Sequence, residues 1–131
     1  MVCGILDVPS GEFRYVSAGH PGPVHLPTGG VPVILEGTGF PIGLAADDYA
    51  ERSVRLATGD RLYLYSDGVS EAMDPAGTQF GDARLMEAIG RGRSEPLQAS
   101  VSALLEEISR WLGSENPHDD ISILAVEVTP S

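Results

Sequence analysis

Cysteine is almost absent. Cys3 stands alone, so no intrachain disulfide can form and a secreted disulfide scaffold is excluded. No activating base is evident for it, and Cys3 reads as a small buried side chain in an apolar stretch, not as a nucleophile. Basic residues are scarce as well, eight against nineteen acidic ones, for a formal net charge of -11. A nucleic-acid surface needs clustered Lys and Arg to neutralise phosphates, so that class of partner is excluded. No apolar run approaches the ~18 residues needed to span a bilayer. The N-terminus lacks the charged region that opens a signal peptide. No membrane partner is expected, and the expected location is cytoplasmic. Glycine-rich phosphate loops of the Walker or dinucleotide type are missing too, as are internal repeats, low-complexity tracts and interdomain linkers.

What is present suits one globular domain spanning residues 1–131. A hydrophobic fraction of 42% supports a core, while 16 Gly and 10 Pro imply many turns. Residues 2–6 and 13–17 read as two strands around a turn-rich connection. Residues 24–26 and 31–35 form a second pair around Pro27-Thr28-Gly29-Gly30. Residues 53–56 and 61–65 alternate apolar with polar or aromatic side chains across Ala57-Thr58-Gly59-Asp60, which predicts a hairpin. The second of these strands stops at Ser66-Asp67-Gly68. Two helices follow. Asp82 is placed to cap the first, whose Leu85, Met86 and Ile89 share a face. Ser94 and Pro96 open the second, with Leu97, Val101, Leu104, Leu105, Ile108, Trp111 and Leu112 at helical spacing and Gly113 as its stop. This Leu and Trp stripe reads as core. Residues 121–128 close the chain as an alternating strand. Antiparallel strands with segregated helices indicate α+β architecture, not a doubly wound parallel sheet.

Two acidic positions stand out by where they fall. Asp67 lies at the C-terminal end of an apolar strand, and Asp119 and Asp120 lie just before another. If those strands are antiparallel neighbours, Asp67 and Asp119 meet at one rim of the sheet. Crowded carboxylates repel unless a cation intervenes, and hard divalent ions take such oxygen ligands while keeping several waters. The competing interpretation is turn chemistry. Asp-Gly is a turn dipeptide, and Asp ahead of a strand often binds backbone N–H groups.

Four blocks weigh against that simpler interpretation. They are Tyr15-Val16-Ser17-Ala18-Gly19-His20-Pro21, then Gly59-Asp60-Arg61-Leu62-Tyr63-Leu64-Tyr65-Ser66-Asp67-Gly68-Val69-Ser70-Glu71-Ala72, then Phe80-Gly81-Asp82-Ala83-Arg84-Leu85, and finally His118-Asp119-Asp120-Ile121-Ser122-Ile123-Leu124. In this order, and over nearly the whole chain, they resemble the metal-dependent protein phosphatase (PPM, type 2C) superfamily, closest to its bacterial SpoIIE/RsbU-like branch. The resemblance implies an antiparallel β-sandwich with flanking helices in αββα layers, and two Mn²⁺ or Mg²⁺ ions at one rim. There a metal-activated water hydrolyses phosphoserine or phosphothreonine without a phosphoenzyme. It assigns Asp67, before Gly68, and Asp119 as metal ligands, with Asp120 in the neighbouring, supporting position; His118, beside Asp119, is a candidate to orient it from behind or a structural residue. The implied substrate is a phosphorylated anti-sigma-factor antagonist, a small cytoplasmic protein.

One departure is informative. The family's early metal-bridging Asp and its Gly-His-Gly segment have no counterpart here, and Asp7 sits in a turn without that motif. The chain therefore resembles the C-terminal portion of the domain, with N-terminal strands and helices missing. His20, in an Ala-Gly-His-Pro turn, is a candidate phosphate contact or simply a turn lock. His25 has no acidic partner nearby in sequence and reads as structural. Arg14, Arg55 and Arg61 read as ordinary strand-surface arginines. Two functions remain open: a phosphatase, or a truncated, non-catalytic module that binds a partner protein or self-associates through open sheet edges.

Overall fold

The computed structural model describes residues 2–7, 10–17, 23–35, 52–113 and 121–129. Strand β1 (Val2–Asp7) and strand β2 (Glu12–Ser17) form an antiparallel hairpin with Leu6 opposite Phe13. Its turn depends on Gly11, which has φ 74°. Besides that left-handed backbone, a Cβ there would come within 2.5 Å of the Leu56 carbonyl oxygen, so glycine is required on both grounds. Strand β3 (Val24–Leu26) pairs with the two-residue β4 (Val33–Ile34) as the sequence suggests, though β4 is shorter than the apolar run 31–35.

The predicted hairpin over residues 53–65 does not form. Strand β5 (Arg52–Arg55) pairs with β2, whereas β6 (Arg61–Tyr65) pairs with β3 on one side and β7 (Ile123–Glu127) on the other. The turn at 57–60 thus carries the chain from one sheet to another, giving a three-stranded sheet β1-β2-β5 and a four-stranded sheet β4-β3-β6-β7. The reason lies in the flanking leucines. Leu56 and Leu62 are both buried with Phe13 and Tyr15 in the core between the sheets, and side-by-side pairing of β5 with β6 would forfeit that sandwich. Full burial of such a side chain stabilises by about 1.5–3 kcal/mol.

Strand β6 is covered on both faces. Leu62 and Leu64 turn to the inter-sheet core, while Tyr63 and Tyr65 belong to a second core with the helices. That second core is built on α2 (Gly81–Arg91) and α3 (Leu97–Leu112), through Leu85, Ile89, Leu104, Ile108 and Leu112. A four-residue helix, α1 (Asp67–Ser70), leads from β6 toward them. Asp82 sits inside the first turn of α2, not at its cap, where its charge still complements the helix dipole. Pro96 stands one position outside α3 and accepts the Ser100 N–H. Leu105 departs from the expected core stripe, being exposed. The helices cover one face of the four-stranded sheet. Among the described residues none covers the outer face of the three-stranded sheet, where Ile5 is 63% exposed.

Candidate functional site

The end of β6 and the start of β7, the strands nearest the candidate carboxylates in sequence, abut. Strands β6 and β7 run antiparallel in a register that ends with Tyr65 opposite Ile123. Ser66 and Ser122 extend the contact by a residue. The Ser66 N–H donates to the Ser122 carbonyl at 3.0 Å, and the Ser122 N–H donates to Ser66 Oγ at 3.0 Å. The backbone of Asp67 and Gly68 follows at once as the start of α1. Its path is pinned by Val69, which is fully buried and donates its N–H to the Ser66 carbonyl. The Asp67 side chain lies outside the described residues, as do His20, His118, Asp119 and Asp120. Among the described residues no three His, Cys, Asp or Glu side chains gather as a metal site.

At the other end of β6, a cluster that sequence analysis did not anticipate fixes the strand. His25 does have an acidic partner: its Nε2 donates to Asp60 Oδ2 at 2.9 Å. Asp60 Oδ2 also accepts the Ala57 N–H, and Oδ1 accepts both the N–H and the hydroxyl of Thr28, at 2.8 and 3.0 Å. Burial alone would raise the Asp60 pKa. The hydrogen bonds from His25, Thr28 and Ala57 outweigh it and hold the carboxyl below its ordinary range. Asp60 thereby ties the sheet-to-sheet turn to the β3–β4 turn. The signal was hidden because His25 and Asp60 are far apart in sequence and meet only through β3–β6 pairing.

Arg61, expected on a strand surface, is only 5% exposed. Its guanidinium donates to Glu127 on β7 at 3.1 Å and to the Gly92 carbonyl at 3.1 Å, and also binds the Glu95 carbonyl in the α2–α3 connection. Burial works against its charge, but bonds to Tyr63 and Glu127 overcome this and raise its pKa. The Tyr63 hydroxyl meets Ser100 Oγ on α3 at 3.0 Å. One strand is thus laced to its neighbour and to the helices, a rigid platform for a site at its far end.

Beyond the rim, the loop between α1 and α2 is clamped by Trp111, whose Nε1 donates to the Ala72 and Thr78 carbonyls at 3.0 Å each. Asp74 closes that loop by accepting the Ala76 and Thr78 N–H groups. No helix among the described residues is long and apolar enough to cross a membrane.

Comparison with known proteins agrees with this geometry. Protein IcfG from Synechocystis is 28% identical over 124 residues, covering 94% of this chain and 19% of that protein. A structure of the RsbU and RsbW domains of a Mycobacterium tuberculosis protein superposes with a TM-score of 0.81 at 30% identity, over 98% of this chain and 35% of that one. The manganese-presoaked phosphatase domain of the cell fate determinant SpoIIE from Bacillus subtilis shares the fold, with a TM-score of 0.76 at 19% identity, over 100% of this chain and 57% of that one. The chain therefore spans little more than half the length of these relatives at most, and about a fifth of the curated one. The antiparallel sandwich with flanking helices is that of PPM-type phosphatase domains. Since the model of the stage II sporulation protein E family matches residues 1–129, the chain belongs to the SpoIIE family.

Proposed function

We propose that this chain is the C-terminal portion of a PPM-type phosphatase domain and contributes part of its metal site. The observation that carries the proposal is the abutment of the β6 end with the β7 start, locked by the Ser66–Ser122 bonds. Asp67 begins one residue beyond that lock, and Asp119 precedes β7 by a few residues of sequence. In this reading the two carboxylates hold Mn²⁺ or Mg²⁺. Asp120 and His118 orient them from behind, Gly68 lets the backbone approach closely, and His20 contacts the phosphoryl group. The ions, when bound, supply a water of lowered pKa and neutralise charge on the phosphoryl oxygens. The substrate is phosphoserine or phosphothreonine in a cytoplasmic regulatory protein of the anti-sigma-factor-antagonist type. The RsbU and RsbW domains found together in the Mycobacterium tuberculosis relative support that substrate class.

A second reading is a non-catalytic phosphatase-fold module that self-associates or binds a protein. Leu124 favours it. That residue is 62% exposed on β7, the edge of the four-stranded sheet, although it shares the face of Leu64, which packs into the inter-sheet core.

Hydrolysis of an aryl phosphate with and without Mn²⁺, together with Mn²⁺-dependent melting, separates the two. The phosphatase reading expects Mn²⁺ to raise the melting temperature, equivalent to about 2.7 kcal/mol at a hundred times Kd. Asp67→Asn should abolish both that shift and any turnover. An unchanged shift in Asp67→Asn removes Asp67 from the metal site, and no response to Mn²⁺ at all favours the second reading.

A further inference from the structure

All eight basic residues of the sequence are arginines, and they are distributed unevenly. Arg84, Arg91 and Arg110 line one cleft of about 400 Å³ over the α2–α3 pair, together with Glu87, Glu107 and the ring of Trp111. In a protein of formal net charge -11, cations here outnumber carboxylates three to two.

Pairing within the cleft leaves two of its three cations without a carboxylate among the described residues. Arg91 engages both carboxylates, Glu107 at 2.5 Å and Glu87 at 3.3 Å, and the bond to Glu107 chiefly raises its pKa. Arg84 has no carboxylate partner among the described residues. Its guanidinium lies 4.3 Å over the Trp111 ring, and Nη1 donates to the Gln79 and Phe80 carbonyls at 3.1 and 3.0 Å. Arg110 is exposed, with no hydrogen bond or ion pair among the described residues. Trp111 is immobilised by its two carbonyl acceptors and by the edge of Phe80, with centroids 5.9 Å apart. Two cations without a carboxylate therefore flank a fixed indole in a concave site. Guanidinium forks bind carboxylates bidentately, and a pre-oriented Arg84 loses little side-chain entropy on doing so.

We propose that this cleft docks an acidic segment of a protein partner, with Asp or Glu carboxylates on Arg84 and Arg110 and aliphatic stem against Trp111. The chain's net charge of -11 disfavours approach of such a segment in general, so the cleft orients it, and the interaction weakens steeply with salt. Two available cations are too few for the phosphate contacts of a nucleic acid.

The test needs no turnover, so its outcome is independent of the metal rim. Trp111 is the sole tryptophan, and its emission reports on the cleft directly. A Glu-rich peptide without aromatic residues, titrated at low salt, should change that emission saturably, while the Gln peptide of equal length should not. Arg110→Glu should weaken binding by about tenfold or more, and Arg14→Glu, on the exposed face of the three-stranded sheet, should leave it unchanged. Melting curves verify folding, with Arg110→Gln as the milder variant if Arg110→Glu melts early. Equal binding by the Gln peptide, or by the Arg110 variants, overturns the proposal. So does inorganic phosphate producing the same saturation, which marks a simple anion site. An emission change with protein concentration alone also overturns it, because a second copy is then the occupant.

Discussion

Asp60 accepts four hydrogen bonds on two oxygens, from His25 on β3 and from the turns that hold Thr28 and Ala57. Its folded pKa lies below its unfolded one. The stability it contributes is therefore fully present above the unfolded value of about 3.9 and is lost as pH falls through the folded one. Denaturant midpoints measured from about pH 5 downward should fall more steeply for the native protein than for Asp60→Asn. At neutral pH that variant should cost roughly 1–3 kcal/mol, because an amide nitrogen then confronts donors on His25, Thr28 or Ala57. A parallel pH profile in the two proteins would rule out Asp60 as the source of the acid sensitivity.

Among the elements, β6 has the most to lose. Arg61→Ala would leave the Gly92 and Glu95 carbonyls and the half-buried Glu127 carboxylate without their donor. The expected loss is about 2–4 kcal/mol in equilibrium unfolding, more than an exposed arginine contributes. Strand and helix existence was legible in the sequence because period-2 and period-3.6 patterns are local. Residues 61–65, which form β6, and the stripe Leu104, Ile108, Leu112, which is buried on α3, are examples. Strand partnership was not legible. The turn at 57–60 has hairpin chemistry, yet the leucines on either side select the inter-sheet core over each other's neighbour. Arg61 misled for a related reason: its carbonyl acceptors belong to a helix connection thirty residues on. At the candidate site, the antiparallel neighbourhood of β6 and β7 entered the sequence argument only as a condition, and the pairing of Tyr65 with Ile123 meets that condition.

Across the described residues, one sheet has three strands and the other four, with β7 at an edge of the wider one. Leu124 is left uncovered on the inward face of that edge. The self-association reading expects a sedimentation mass above the 13.8 kDa of one chain, returned to that value by Leu124→Glu. A protein already monomeric before the substitution would remove β7 as a contact surface.

Strand β7 also sets when the rim comes into being. Its partner β6 is made early, then waits while α1, α2 and α3 are synthesised before Ile123 can reach Tyr65. Closing that long loop is entropically costly and slow compared with the helical turns formed inside it. In a ribosome-bound nascent chain halted ahead of β7, Tyr65 has no Ile123 opposite it, and the two strand ends are not yet side by side. The candidate site is thus a late product of the folding route, which keeps incomplete chains from presenting it.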